Sequence, residues 1–143
     1  MSFFIKKEYS EGLKYLNESL EIRQNIGYKE GIATTLSNIA MTYYKGNLGS
    51  NEKILEYLQV ALEIQEELGD NRGQATTLLN IGSFYIEKHN DYEKAIKSFI
   101  KVYNINKVLE SPNIQNDIAR LNRLEVYLGK QKFQEILQKL NQQ

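Results

Sequence analysis

The chain has 143 residues and no cysteine, and its 18 basic residues balance its 18 acidic ones. A net charge of zero favours neither a nucleic-acid nor an anionic-membrane partner, and the lack of cysteine excludes disulfides, zinc–thiolate sites and thiol nucleophiles. The opening MSFFIKK is too short for a signal-peptide core and no later stretch could span a bilayer. A single domain in the cytoplasm is therefore expected.

The first predicted helix covers residues 8–26 and Gly27 is expected to end it, since glycine tolerates the left-handed conformation. Its apolar side chains at helical spacing form a packing face: Leu13, Leu16, Leu20 and Ile26. The next helix is predicted at 29–45. A glycine-containing loop then leads to a third helix at 52–68, with Ser50 or Asn51 as its cap.

Asp70 is expected to cap a fourth helix at 72–88, and a fifth follows at 92–109. Pro112 breaks the chain there, because proline cannot lie inside the preceding helix. Asn116 or Asp117 is expected to cap the next one. The last two helices are predicted at 118–128 and 130–142.

One stretch occurs twice. Residues 27–45 read GYKEGIATTLSNIAMTYYK and residues 69–87 read GDNRGQATTLLNIGSFYIE, so equivalent positions are 42 residues apart. The first helix also recurs in the third at this spacing, and a fixed period in this range indicates a repeat array. The third copy is degenerate, as a capping unit is expected to be. Its register against Asn80 stays open, since Asn122 aligns at 42 but the apolar pattern fits better at 43.

The second copy carries Leu78-x-x-Ile81-Gly82-x-x-Tyr85, followed by Ala95-x-x-x-Phe99. This pattern resembles the tetratricopeptide repeat (TPR) signature. The long period is similar to the branch that includes kinesin light chain, the Leu-Gly-Asn scaffold proteins and many bacterial arrays. The resemblance implies an all-α solenoid of antiparallel helix pairs, with about three units in one domain over residues 1–143. Its expected parts are a half repeat at 8–27, units at 28–69 and 70–110, and a degenerate capping unit at 113–142.

Packing follows from the residue sizes at the repeated positions. Small residues at Ala40, Ala61 and Gly82 are expected to let helices approach closely, while aromatic side chains, Phe99 among them, fill the space between helices. Nothing predicts catalysis. The lone histidine, His89, lies in a polar turn without a second ligand, and the serines lack a base. We therefore predict no enzyme, no cofactor and no metal site.

By the same resemblance, the first helix of each pair lines a concave surface that binds a protein or peptide. Asn38 and Asn80 match a position that often bonds the backbone of an extended peptide, and an amide offers both a donor and an acceptor. The alternative, that these amides bond the neighbouring repeat's backbone, stays open. The other residues predicted on this surface are Thr34, Ser37, Met41, Tyr44, Lys45, Thr76, Leu79, Ser83, Ile86 and Glu87. They lack the paired lysines and asparagines that would clamp a terminal carboxylate.

The predicted function is therefore a protein-interaction scaffold or adaptor. The alternative is a self-associating structural piece of a longer array, and a third reading is a regulatory domain that senses a short peptide. The face of the first helix around Gly12, Leu16 and Ser19 has no predicted partner helix, although Phe3 and Phe4 are expected to cover part of it. An uncovered apolar face indicates an interface, so a homo-oligomer contact is predicted at the N-terminal end: Phe3, Phe4, Leu13 and Leu16.

Overall fold

Seven α-helices and no strand occur in residues 3–143, the part of the chain that this computed structural model describes, with side chains described from Phe4 onward. In chain order the helices are α1 (Phe3–Ile26), α2 (Lys29–Lys45), α3 (Asn51–Leu68), α4 (Asn71–His89), α5 (Tyr92–Val108), α6 (Ile114–Leu128) and α7 (Lys130–Asn141). Connections this short reverse the chain between neighbouring helices. The predicted all-α class of paired helices is confirmed.

The chain divides into two compact units, Met1–Asn80 (unit 1) and Ile81–Gln143 (unit 2). In unit 1, α2 packs against both α1 and α3. In unit 2, α6 packs against both α5 and α7. The first ten residues of α4, as far as Asn80, belong to unit 1 and the rest of the helix to unit 2.

Several helix ends lie where the sequence predicts them. Gly27 and Gly69 take φ values of 70° and 65°, in the left-handed region that glycine favours, and they end α1 and α3. The Ser50 hydroxyl accepts a hydrogen bond from the Lys53 backbone nitrogen at 3.2 Å and caps α3. The Asp70 carboxylate accepts from the Gly73 backbone nitrogen at 2.9 Å and caps α4.

Two predicted boundaries, one predicted cap and two predicted packing contacts are wrong. Helix α1 begins at Phe3 rather than residue 8, because no glycine or proline interrupts residues 3–11. Phe4 consequently lies on the helix, 76% exposed, and does not fold over it, while the side chain of Phe3 lies outside the described residues. Ile26 is 71% exposed, in the last turn of α1, and contributes little to the packing face.

Helix α6 begins at Ile114, four residues before the predicted start. Asp117 therefore does not cap it, since it lies inside the helix and is only 2% exposed. Its carboxylate accepts a hydrogen bond from the Asn106 side-chain amide at 2.6 Å. The reason is that the backbone at Asn113 already turns into the helical region, with φ −67° and ψ −12°.

The packing follows the predicted alternation of small and large side chains. In unit 1, Ala40 and Ala61 are fully buried. In unit 2, a Cβ atom at Gly82 would lie 2.7 Å from Cζ of Phe99, so only glycine allows this ring to pack so closely. Phe99 is itself 3% exposed, and its ring occupies the space that a side chain at position 82 would need.

A polar contact joins consecutive helices at two equivalent places in unit 1. Between α1 and α2, the Arg23 guanidinium donates to the Thr35 hydroxyl and, at 3.2 Å, to the Gly31 carbonyl. Between α3 and α4, the side-chain amide of Gln65, in the orientation that gives both its atoms a partner, donates at 2.7 Å to the Thr77 hydroxyl. It also donates to the Gly73 carbonyl at 3.1 Å. The second set of residues follows the first by 42 positions.

Unit 2 makes the same kind of contact between α5 and α6 with Asn106 and Asp117. Asn106 follows Gln65 by 41 residues, and Asp117 follows Thr77 by 40. This equivalence gives the register of the degenerate third copy, and neither of the two offsets considered from the sequence is right. At an offset of 40, the residue equivalent to Asn80 is Arg120.

Candidate interaction surface

The residues predicted to form the surface on α2 differ in how accessible they are. Thr34, Asn38 and Lys45 are exposed, whereas Met41 and Tyr44 are half-buried. Ser37 is 7% exposed, and its hydroxyl oxygen lies 3.1 Å from the hydroxyl oxygen of Thr77. The Ser37 hydroxyl thus joins α2 to α4 beneath the surface.

On α4 the corresponding residues fall into both units. Thr76, Leu79 and Asn80 belong to unit 1, where Thr76 is exposed and the other two are half-buried. In unit 2, Ser83 and Ile86 are half-buried and Glu87 is exposed. Eight predicted residues, besides the buried Ser37, therefore lie on the α2 and α4 helices of unit 1: Thr34, Asn38, Met41, Tyr44, Lys45, Thr76, Leu79 and Asn80.

The two asparagines occupy equivalent positions on their helices. Asn38 follows Ser37 directly, and Asn80 lies one turn beyond Thr77, so both are near the contact that joins α2 to α4. Within the described part of the chain, neither side-chain amide has a hydrogen-bond partner. The bond to a neighbouring repeat that the sequence left open therefore does not occur among these residues, and each amide keeps its donor and its acceptor free.

A cavity of about 390 Å³ opens in unit 2 between α4 and α6. Its lining includes Ser83 and Ile86, two of the predicted residues on α4, and six others: Tyr92, Phe99, Arg120, Arg123, Leu124 and Tyr127. Sequence reasoning missed the α6 residues because the register of the third copy was open. Their register is given by the buried polar position that Gln65–Thr77 and Asn106–Asp117 share, and this position is recognised only in the structure.

The two arginines of this cavity have different surroundings. The Arg120 guanidinium forms an ion pair with Asp117, with Nη1 at 3.1 Å from Oδ1. It also lies 5.3 Å from the centroid of the Phe99 ring, a cation–π distance. Arg123 is exposed and has no ion-pair or hydrogen-bond partner among residues 3–143.

Two tyrosines border the same cavity. The rings of Tyr92 and Tyr127 lie with their centroids 5.4 Å apart. A hydrogen bond between the two side chains raises the pKa of Tyr92, because it favours the protonated phenol. At neutral pH the Tyr92 phenol is therefore protonated and can donate a hydrogen bond.

Residues 1–67, which cover α1, α2 and nearly all of α3, match the family model of the tetratricopeptide repeat. This part of the chain belongs to the TPR family. The resemblance read from the sequence is confirmed by this match, while the kinesin light chain-like branch stays a prediction. Neither a curated protein nor a solved structure matches the chain. The contacts in unit 2 extend the helix-pair pattern beyond the matched residues.

Among the described residues, every helix is too short or too polar to span a bilayer. These residues also contain no group of three or more His, Cys, Asp or Glu side chains that could hold a metal ion. His89 packs its ring 5.4 Å from that of Phe84, centroid to centroid.

Proposed function

We propose that this TPR protein is a scaffold or adaptor that binds an extended peptide segment of a partner protein on α2 and α4 of unit 1. TPR proteins in general are protein–protein interaction modules. The observation that carries the finer proposal is the pair of unbonded amides, Asn38 and Asn80, at equivalent positions 42 residues apart. No catalytic role is part of the proposal.

The chemistry of an extended peptide suits these two amides. A peptide group presents an N–H donor and a carbonyl acceptor, and one asparagine can satisfy both. The residues around the amides, Thr34, Met41 and Leu79, supply hydroxyl and apolar contacts without a charge. Such a surface contacts mainly the backbone of its ligand and offers little to a charged side chain. The partner segment is therefore expected to be extended and of mixed sequence.

The experiment compares the tagged wild-type chain with an Asn38→Ala/Asn80→Ala double variant in quantitative pull-downs from a lysate of the source cells. A matched control is the Asn17→Ala/Asn104→Ala double variant, which removes two exposed asparagines from α1 and α5. We expect a partner that both the wild type and the control retain and that the Asn38/Asn80 variant loses. Equal retention by all three chains would refute the proposed surface.

A second candidate, self-association through α1, rests on a separate observation. Tyr15, Ile22 and Ile26 lie along one face of α1 and are 72%, 62% and 71% exposed. Apolar side chains aligned in this way are typical of an interface. Of the residues predicted for this interface, Leu13 is 9% exposed and belongs to the core, while Leu16 is half-buried.

Light scattering after size exclusion tests this candidate. If α1 mediates self-association, the wild type should show a mass above one chain that falls with dilution, and the Tyr15→Lys/Ile22→Lys variant should be a monomer. Val108→Lys, at a residue of α5 that is 81% exposed, is the control. A monomeric wild type at high concentration would rule the second candidate out.

A further inference from the structure

We propose that the cavity between α4 and α6 in unit 2 binds an acidic side chain of the partner peptide, with Arg123 as the contacting cation. The inference rests on the proposed function, since it names the chemistry of a peptide that the protein binds. It concerns a different set of residues from Asn38 and Asn80. The charge of the cavity, its hydrogen-bond donors and its apolar walls each support such a ligand.

The charge of the lining is positive. Of the eight described residues that line the cavity, two are arginines and none is acidic. The Asp117 carboxylate neutralises Arg120, but Asp117 is 2% exposed and pairs with Asn106 on its other oxygen. The guanidinium of Arg123 has no such partner, so it is the group whose charge remains for a ligand. A guanidinium matches the geometry of a carboxylate, which it can bind through two parallel hydrogen bonds.

The fixed position of Arg120 supports this role of Arg123. The ion pair with Asp117 and the cation–π contact with the Phe99 ring fix the Arg120 guanidinium, which forms part of the cavity floor. Arg120 lies one helical turn from Arg123 on α6, so its fixed guanidinium borders the place where Arg123 would meet the ligand. Arg120 is therefore a positioning residue and Arg123 a binding residue.

Two hydroxyl groups that can donate hydrogen bonds line the same cavity. The hydroxyl of Ser83 comes from α4, and the phenol of Tyr127 comes from α6. Tyr127 is 71% exposed, so its hydroxyl can reach a ligand without a conformational change of the core. These donors suit the oxygen atoms of a carboxylate that the guanidinium has attracted.

The rest of the lining is apolar and favours an aliphatic residue near the acidic one. Ile86 stands on the α4 side, Leu124 on the α6 side, and Phe99 forms the floor. In an extended peptide, side chains two residues apart point to the same face, so an aliphatic side chain two positions from the acidic one can share this cavity of about 390 Å³. The ligand chemistry is thus a glutamate or aspartate with an aliphatic residue two positions away.

The test uses the full chain labelled with nitrogen-15 and three peptides capped at both ends, so that the central side chain carries the only charge. The probes are acetyl-Leu-Ser-Glu-Ser-Leu-amide and its counterparts with Gln or Lys in place of Glu. Binding is followed by the shifts of backbone amide signals in α4 and α6. We expect the Glu peptide to bind about fivefold more tightly than the Gln peptide at low salt, and the difference to shrink as salt is added.

Arg123→Gln should remove the preference for Glu over Gln, and Arg123→Glu should turn it into a preference for the Lys peptide. Arg72→Gln is the matched control, because Arg72 is an exposed arginine of α4 in unit 1 and does not line the cavity. A reversed preference cannot come from loss of stability. If the wild type shows no saturable shift with the Glu peptide, or if Glu and Gln peptides bind equally, the inference is wrong. The Asn38/Asn80 pull-down decides the proposed function independently of either result.

Discussion

The two units of the chain join their helices at equivalent positions but with different chemistry. Unit 1 uses Arg23 with Thr35 and Gln65 with Thr77, which are contacts to neutral hydroxyls. Unit 2 uses Asn106 with a buried carboxylate, Asp117. The Asp117 carboxylate also forms an ion pair with Arg120. Both units thus join their helices at equivalent positions, whereas the joining residues differ, and in unit 2 the buried carboxylate holds a charged side chain, Arg120, beside the cavity.

The largest expected effect is on the packing of unit 2. Phe99→Ala should lower the free energy of unfolding by about 3–5 kcal/mol, because it removes a buried ring and leaves a cavity beside Gly82. Denaturant titration followed by far-UV circular dichroism measures it. Tyr15→Ala, at a ring 72% exposed, should change the same quantity by less than about 0.5 kcal/mol. Equal effects of the two substitutions would contradict the described core.

A smaller loss of stability is expected when the polar contact that joins two helices is removed from either unit. Asp117→Ala should lower the free energy of unfolding by about 2–3 kcal/mol, since it leaves the buried Asn106 amide without its partner. Thr77→Val, which removes a hydroxyl of similar burial from unit 1, should lower it by about 1 kcal/mol. Both are measured by denaturant titration. A larger loss for Thr77→Val would reverse the comparison.

A smaller difference is expected in local stability. Helices α6 and α7 each bury only two residues, Asp117 and Leu124 in one and Phe133 and Ile136 in the other. Helix α2 buries seven. Hydrogen exchange should therefore be fastest in residues 113–143 and slowest in α2, because few buried contacts permit local opening. Slower exchange in α7 than in α2 would show that burial does not set the order.

The sequence predicted most of the fold because a period of 42 residues repeats both the apolar positions and the turn glycines. It identified the faces of α2 and α4 for the same reason, since Asn38 and Asn80 share a repeat position. It could not show that Ser37 is buried. That depends on the Thr77 hydroxyl, which lies 40 residues away and only meets Ser37 when α2 packs on α4.

Unit 2 could be predicted less well. The period falls from 42 to 41 residues before α5 and to 40 before α6, and residues 109–113 turn into the helix earlier than their proline suggests. The repeat period alone therefore could not predict the register of α6. For the same reason it could not predict that Arg120 and Arg123 lie opposite Ser83 and Ile86. A buried aspartate inside a helix was the available signal, but its partner Asn106 is recognised only from the structure.

The central claim is that Asn38 and Asn80 bind a partner's backbone and do not hold the fold together. One double variant, Asn38→Ala/Asn80→Ala, tests it when its affinity for the captured partner segment and its free energy of unfolding are both measured. We predict that each substitution weakens binding by about 1–2 kcal/mol, while the free energy of unfolding changes by less than about 0.5 kcal/mol, since neither amide has a partner in the described residues. A large loss of stability with unchanged binding would contradict the account.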